Sequence, residues 1–174
     1  MNSTKVRLLL VRHGATSWSD AHRLNGWTDV PLSAEGREQA RRLRPVIQAA
    51  RPQRVFSSDL VRARETTEIA AGTAIVDRRL REFDFGRWEG RRWEEIPLRG
   101  QQAMEAFDAV EVPEGESMTE FRRRIASFMR DLDVDRSVVV THGGVIRAIR
   151  RYVGLPSIMI PLGTHAEVTI PPLR

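Results

Sequence analysis

Two short runs of apolar residues mark an early and a late buried strand. Residues 6–11 read Val-Arg-Leu-Leu-Leu-Val, and residues 137–141 read Ser-Val-Val-Val-Thr. Short runs of branched apolar residues are typical of strands buried on both faces of a parallel sheet. We therefore predict two central strands, each of which leads within one residue to a histidine followed by glycine.

Apolar residues at helical spacing predict helices between the strands. The clearest pattern follows the capping box Ser117-x-x-Glu120 and comprises Phe121, Ile125, Phe128, Met129 and Leu132. A second helix is expected after Ser33, its N-cap candidate, with Pro45 kinking it or ending it early. A third is expected over Leu60–Ala71, with N-cap candidates in Ser57-Ser58-Asp59 and with Gly72 as its stop.

The remaining patterns are shorter. Further strands are predicted at Arg54–Phe56, Thr73–Asp77 and Ala166–Ile170, and residues 17–30 are predicted to form a loop. Strands that alternate with helices indicate a three-layer α/β/α sandwich. We expect its sheet to be mostly parallel, with one antiparallel edge strand.

Length and composition limit the classes of protein. The 174 residues, 41% of them apolar, predict one domain over residues 1–174. There is no cysteine, no apolar stretch long enough to cross a membrane and no pattern of a signal peptide, so a cytoplasmic protein without a membrane partner is expected. The net charge of +5 comes from arginines spread along the chain, which favours a solvated basic surface over nucleic-acid binding. Such a charge would still attract a small anionic substrate.

The candidate chemistry lies where strands end. Arg12 and His13 follow the first buried strand, His142 follows the second, and Gly14 and Gly143 allow the backbone to be approached closely. Arg62 lies one turn into a helix that also follows a predicted strand. If the strands are parallel, these side chains meet at one edge of the sheet, which is where ligands bind in open α/β sheets.

Two arginines and two histidines at one edge favour a pocket for a dianion. Arginine suits bidentate phosphate contacts, and helix N-termini add backbone N–H donors. A zinc site is the competing interpretation. It lacks ligands, since the chain has no cysteine and only His22 and His165 as further histidines, and the arginines would repel a cation.

A general acid is expected between residues 80 and 90, where carboxylates alternate with aromatic residues. A carboxyl group among aromatic side chains is desolvated and can give up a proton to a leaving group. The sequence pattern does not distinguish Glu82, Asp84 and Glu89 in this role.

Four blocks, in order, resemble the histidine phosphatase superfamily of cofactor-dependent phosphoglycerate mutases and related phosphatases. They are Arg12-His13-Gly14-Ala15-Thr16, Arg62 in Ser58–Thr66, Glu82-Phe-Asp-Phe-Gly and Thr141-His142-Gly-Gly. A further matching run extends from Gly26 to Ala40, so the resemblance covers most of the chain.

The resemblance implies a role for each matching residue. His13 would be the nucleophile that becomes phosphorylated, Glu82 the general acid, and Arg12, Arg62 and His142 the groups that hold the phosphoryl charge. Thr16 and Asn25 match positions that reach the phosphate or its surroundings, whereas Ser19 replaces a common asparagine, which shortens or removes a phosphate contact. Neither a metal nor another cofactor is implied. The second ring nitrogen of His13 is expected to bond to a backbone acceptor.

The resemblance leaves several activities open. Residues 91–112 are too few for the basic lid of the mutases, which favours hydrolysis of a small phosphorylated metabolite through a phosphohistidine on His13. The alternatives are mutase-type phosphoryl transfer, a phosphohistidine-protein phosphatase, and a non-catalytic module that binds phosphorylated ligands. We expect specificity to depend on residues 17–25 and 85–112, and the sequence indicates neither the substrate nor the oligomeric state.

Overall fold

The computed structural model describes residues 6–170, and its strands form one five-stranded sheet of order β3-β2-β4-β1-β5. The strands are β1 (Val6–Arg12), β2 (Arg54–Ser57), β3 (Ile75–Val76), β4 (Ser137–Thr141) and β5 (His165–Ile170). Neighbouring strands run parallel except β5, which pairs antiparallel with β1 at one edge. The predicted sheet, with its single antiparallel edge strand, is confirmed.

Helices cover both faces of this sheet. They are α1 (Ser17–Asp20), α2 (Ala34–Ala50), α3 (Val61–Ala70), α4 (Leu98–Ala106), α5 (Met118–Asp131) and α6 (Gly143–Tyr152), with 3-10 turns at Arg78–Leu80, Gly86–Trp88 and Trp93–Glu95. Between residues 6 and 170, every helix is too short or too polar to cross a bilayer.

Side chains of β1 point alternately to the two faces of the sheet and so contribute to two apolar clusters. Leu8 and Leu10 point into the larger apolar cluster, which α5 and α6 cover, whereas Leu9 and Val11 point into the smaller one, which α2 and α3 cover. Side chains alternate between faces along any strand, so a fully apolar run must be covered on both. The three-layer sandwich predicted from the sequence is therefore confirmed.

Several helix ends follow their predicted chemistry. The Ser33 hydroxyl accepts a hydrogen bond from Gly36 N at the start of α2, and Ser117 and Glu120 form the complete capping box of α5. Gly72, just beyond α3, has a φ of 89° and donates its N–H to Thr67 O, as expected for a residue that ends a helix.

Three local predictions were wrong. α2 does not end early at Pro45 but continues to Ala50, because Leu43 and Ile47 on either side of the proline are buried against the sheet and their packing offsets the lost backbone bond. Residues 57–59 do not cap α3. Its N-cap is Leu60, and the Asp29 carboxylate accepts a hydrogen bond from Val61 N at 2.8 Å.

The third error concerns the predicted loop over residues 17–30. Its first residues form α1, which a reciprocal capping box between Thr16 and Ser19 stabilises.

Candidate active site

The carboxyl ends of β1 and β4 bring two histidines together. The strands are neighbours and pair in parallel, with Arg12 opposite Thr141, so the residues that follow them leave the same edge of the sheet. The imidazole centroids of His13 and His142 are 5.0 Å apart. Two residues far apart in the sequence therefore share one site, as the two strand–His–Gly units predicted.

The imidazole of His13 is held in one tautomer. Its Nδ1 lies 2.7 Å from the carbonyl oxygen of Gly14. A carbonyl oxygen can only accept, so Nδ1 carries the hydrogen and Nε2 keeps its lone pair. Burial, and next the positive charges of Arg62 and Arg12, hold the pKa of His13 well below its usual value. His13 is therefore neutral at neutral pH, as a nitrogen nucleophile must be.

Two arginines flank this imidazole and are fixed by backbone carbonyls. Arg12 donates from Nη1 to Ile160 O at 2.6 Å. Arg62 is completely buried and donates to the carbonyl oxygens of Thr28, Asn25 and Gly26, at 3.2, 3.1 and 2.6 Å. Burial lowers the pKa of Arg62 to about 10, so it stays charged at neutral pH. The loop that follows α1 thus fixes the Arg62 guanidinium in the site.

His142 is completely buried and has one ring nitrogen engaged. Its Nε2 lies 2.9 Å from the hydroxyl oxygen of Ser58, which follows the neighbouring strand β2. Burial, and next the charge of Arg62, keep the pKa of His142 well below its usual value. Ser58 is a site residue that the sequence reasoning offered only as a helix cap.

Three buried side-chain nitrogens at this site lack a hydrogen-bond partner within the described residues. They are Arg12 Nε, Arg62 Nε and His142 Nδ1. Buried polar atoms in folded proteins are almost always paired, and an unpaired guanidinium N–H is a strong donor to an anionic oxygen. We call Arg12, His13, Arg62 and His142 together the cationic cup, and its chemistry fits a phosphoryl group.

Glu82 is the carboxylate that lies beside the cup. Its Oε2 accepts from Gly144 N at 3.0 Å and its Oε1 accepts from Phe83 N at 2.9 Å, while its charge favours the protonated forms of Arg12 and Arg62. Asp84 and Glu89, which the sequence pattern left as equal candidates, are used elsewhere.

Both of the other carboxylates stabilise loops. The Asp84 carboxylate accepts from Gly86 N in a turn, and Glu89 accepts from the backbone N–H groups of Trp27 and Thr28. The structure therefore distinguishes the three carboxylates that the sequence pattern left equal. Of these three, only Glu82 contacts the start of α6.

The backbone of Glu82 is fixed by two side chains that the sequence reasoning did not single out. Trp27 Nε1 and Arg124 Nη2 both donate to Glu82 O, at 2.8 and 2.7 Å. Arg124 also donates to Arg81 O and pairs with Glu116 through Nε at 2.6 Å. Neither residue has a local sequence signal, because each acts on a carbonyl group distant in the chain.

The predicted substrate-binding residues differ in what they contact. The hydroxyl of Ser19 accepts from Thr16 N and donates to Thr16 O, so the capping box of α1 already uses it. Thr16 Oγ1 accepts from Asn25 Nδ2 at 3.4 Å. Gly14 contacts α2, where a β-carbon would overlap the carbonyl oxygen of Gly36.

Gly143 lies closer to the cup. A β-carbon there would come within 3.2 Å of Arg12 Cζ, so a side chain would press on the guanidinium. In the described part of the chain, no three histidine, aspartate or glutamate side chains group together as metal ligands would.

Known proteins resemble this chain over most of its length. Residues 8–166 match the histidine phosphatase superfamily (branch 1). The chain is 35% identical over 159 residues to phosphoglycerate mutase-like protein 4 of Arabidopsis thaliana, an alignment that covers 83% of this chain and 69% of that protein.

Solved structures agree in fold. The crystal structure of phosphoglycerate mutase from Thermus thermophilus superposes with a TM-score of 0.85 at 41% identity, over 94% of this chain and 92% of that one. A structure from Escherichia coli, described as "a putative alpha-ribazole-5'-P phosphatase", gives a TM-score of 0.80 at 26% identity, over 95% and 90% of the two chains. The chain therefore belongs to the histidine phosphatase superfamily, branch 1.

Proposed function

We propose that this protein is a metal-independent phosphomonoesterase that hydrolyses a small phosphorylated metabolite through a phosphohistidine on His13. Members of the superfamily are phosphatases or mutases. The observation that carries the proposal is the tautomer of His13: its Nδ1–H is bonded to Gly14 O, so the Nε2 lone pair remains for attack within the cationic cup.

The first chemical step forms one bond and breaks another. His13 Nε2 attacks phosphorus, the bond from phosphorus to the leaving oxygen breaks, and Glu82 in its acid form gives that oxygen a proton. The N–H groups of Arg12 and Arg62 stabilise the charge of the phosphoryl oxygens during transfer. Such transfer requires mainly positioning and electrostatic stabilisation, which a preformed cup supplies.

The second step returns the enzyme to its starting state. The Glu82 carboxylate takes a proton from water, the water oxygen attacks phosphorus, and the bond from phosphorus to His13 Nε2 breaks. Inorganic phosphate and the acid form of Glu82 result, so protons and bonds balance over the cycle. One carboxyl group acts first as acid and then as base.

Mutase-type transfer is the second candidate, because the Thermus structure is described as a phosphoglycerate mutase and the Arabidopsis relative is named a phosphoglycerate mutase-like protein. It differs in the fate of the phosphohistidine, which would pass its phosphoryl group to a second phosphoglycerate oxygen instead of to water. The short segment of residues 91–112 favours hydrolysis.

The test compares His13→Ala with His165→Ala, an exposed histidine on β5, in the presence of a chelator. We expect His13→Ala to abolish hydrolysis of p-nitrophenyl phosphate and to remove the phosphoenzyme trapped by rapid quenching, while His165→Ala keeps both. Near-normal hydrolysis by His13→Ala would end the proposal. Faster isomerisation of 3-phosphoglycerate with its bisphosphate activator than hydrolysis of any ester would favour the mutase.

A further inference from the structure

An apolar cavity of about 460 Å³ adjoins the cationic cup at Glu82. Glu82 and Gly144 line it, and most of its wall is apolar: Phe83, Phe85, Trp93, Met104, Phe107 and Met118. A cavity of this size, lined mostly by apolar side chains with a few polar groups, is typical of a site for a small organic molecule.

The position of Glu82 relates the cavity to the reaction. In phosphoryl transfer the attacking atom, phosphorus and the leaving oxygen lie roughly in line. With His13 on one side of phosphorus, the leaving oxygen faces the group that protonates it. Because Glu82 lies between the cup and the cavity, the carbon part of the leaving alcohol is directed into the cavity.

Among the described residues that line the cavity, the one positively charged side chain, Arg147, is fixed by hydrogen bonds within the protein. Arg147 donates to Met104 O, to Glu105 O and to the Ser157 hydroxyl, at 2.8, 2.7 and 3.1 Å, and lies 4.2 Å from the centroid of the Phe107 ring. Three of its five N–H donors are therefore used by the end of α4 and by Ser157, which fixes the guanidinium against the Phe107 ring. A substrate carboxylate would still have to lie against the mostly apolar wall of the cavity.

The wall of the cavity is also held in place before any ligand binds. Phe107 has a φ of 54°, a left-handed conformation that costs energy in a residue with a side chain. Arg122 and Arg151 both donate to its carbonyl oxygen, at 2.9 and 2.7 Å. Two helices of the core thus maintain a strained residue whose ring forms part of the wall.

Resting on the proposed phosphatase function, we infer that the substrate is a phosphate monoester whose alcohol carries an aromatic or similarly bulky apolar group. Trp93 is a specificity-determining residue in this arrangement. It is half-buried in a 3-10 turn and is one of the residues that line the cavity. Small carboxylated alcohols such as phosphoglycerate fit the cavity poorly, because they leave its apolar wall uncovered.

The test measures kcat/KM for three phosphate esters of primary alcohols: 2-(1-naphthyl)ethyl phosphate, glycerol 1-phosphate and 3-phosphoglycerate. We expect the naphthylethyl ester to be preferred by at least about tenfold over glycerol 1-phosphate, with 3-phosphoglycerate the poorest. Equal values for the three esters, or a preference for 3-phosphoglycerate, would overturn the assignment of substrate class.

Two tryptophans, Trp93 in the cavity wall and Trp18 outside it, provide a test variant and its control. Trp93→Ala should lose most of the preference for the naphthylethyl ester over glycerol 1-phosphate, and Trp93→Phe should restore part of it. Trp18→Ala removes a half-buried ring that covers Gly90 and does not line the cavity, so it should leave the preference intact. A preference that survives Trp93→Ala would contradict the inference.

Binding of an inert analogue separates this inference from the phosphatase proposal. We expect 3-(1-naphthyl)propylphosphonate to bind at least about tenfold more tightly than 3-hydroxypropylphosphonate by calorimetry, and Trp93→Ala to abolish the difference. If no ester is hydrolysed while this binding preference holds, the phosphatase proposal fails and the ligand class stands. If esters are hydrolysed without any preference in turnover or binding, the substrate class fails and the phosphatase proposal stands.

Discussion

The Glu82 carboxylate accepts a hydrogen bond from the backbone N–H of Gly144 at 3.0 Å, and so contacts the start of the helix that follows His142. A β-carbon at Gly144 would overlap the carboxylate oxygen, so the contact depends on glycine at this position. Backbone N–H groups at a helix start favour a negative charge nearby. This one contact connects the proposed acid, on a loop, to the strand end that carries the second histidine.

Replacing Glu82 with glutamine should expose its role as a proton donor. The amide oxygen can still accept from Gly144 N, and although the bond from Phe83 N is lost, Trp27 and Arg124 still hold the backbone carbonyl group of residue 82. The amide side chain cannot protonate a leaving oxygen. We expect kcat/KM to fall by about 10²–10⁴ for alkyl phosphates, whose leaving groups need a proton, and by much less for p-nitrophenyl phosphate. The measurement is kcat/KM for both classes of ester.

The matched controls are Asp84→Asn and Glu89→Gln. Both carboxylates lie close to Glu82 in the sequence but bond to backbone N–H groups of turns, so neither variant should change the ratio between the two classes of ester. Equal losses on alkyl and aryl esters in Glu82→Gln would argue that another group is the acid.

A conservative change at Arg62 should be costly. Lysine keeps a positive charge but lacks the planar fork that donates to Thr28 O, Asn25 O and Gly26 O while its Nε faces the cup. We expect Arg62→Lys to lower kcat for p-nitrophenyl phosphate by about 10²–10³ and to weaken inhibition by inorganic phosphate.

Arg64→Lys is the corresponding control, since Arg64 lies on the same helix with an exposed side chain. It should leave both the turnover and the phosphate inhibition constant near those of the unmodified protein. If Arg62→Lys behaved in the same way, the buried guanidinium would have no part in holding the phosphoryl group.

Acidification should destabilise the protein through its two buried histidines. The pKa values of His13 and His142 are lowered in the folded state, chiefly by burial, whereas in the unfolded chain they return to about 6.5. The unfolded state therefore binds more protons below that pH. Their contribution to stability is complete above about pH 6.5 and is lost as the pH falls, by up to about 1.4 kcal/mol per pH unit for each histidine.

Urea unfolding at about pH 7.5, 6.5 and 5.5 measures this loss. The free energy of unfolding of His13→Asn should fall less steeply with acidification than that of the unmodified protein, because one proton-linked group has been removed. His165→Asn, which removes an exposed histidine, should keep the full slope. The same slope in all three proteins would contradict the assignment of buried neutral imidazoles.

Local sequence patterns were sufficient to predict the strands and helix ends that form the edge of the sheet where the site lies. The branched residues of β1 and β4 predicted two doubly covered strands, and the capping boxes and glycine stops fixed several helix ends, because these signals depend on neighbours within a few residues. Parallel pairing then required His13 and His142 to leave the same edge.

Prediction failed where a distant residue supplied the contact. Asp29 caps α3 in place of the serines beside it, and buried apolar packing carries α2 past Pro45. Residues 85–112 provide several walls of the cavity, but their shape depends on arginines of α5 and α6 that reach their carbonyl groups, so local patterns did not reveal it.

The sequence by itself determined which residues could react and that their strands would end together, since apolar periodicity and the strand–His–Gly units are local properties. Only the tertiary structure decided which contacts hold the Glu82 carboxylate beside them, which ring nitrogen of His13 bonds to the backbone and what kind of space opens beside them. Those outcomes depend on bonds from Gly144 N to Glu82, from His13 Nδ1 to Gly14 O and from Arg147 to the end of α4. Most such bonds join residues far apart in the chain, and all of them depend on where the folded backbone places a donor or an acceptor, which no local pattern encodes.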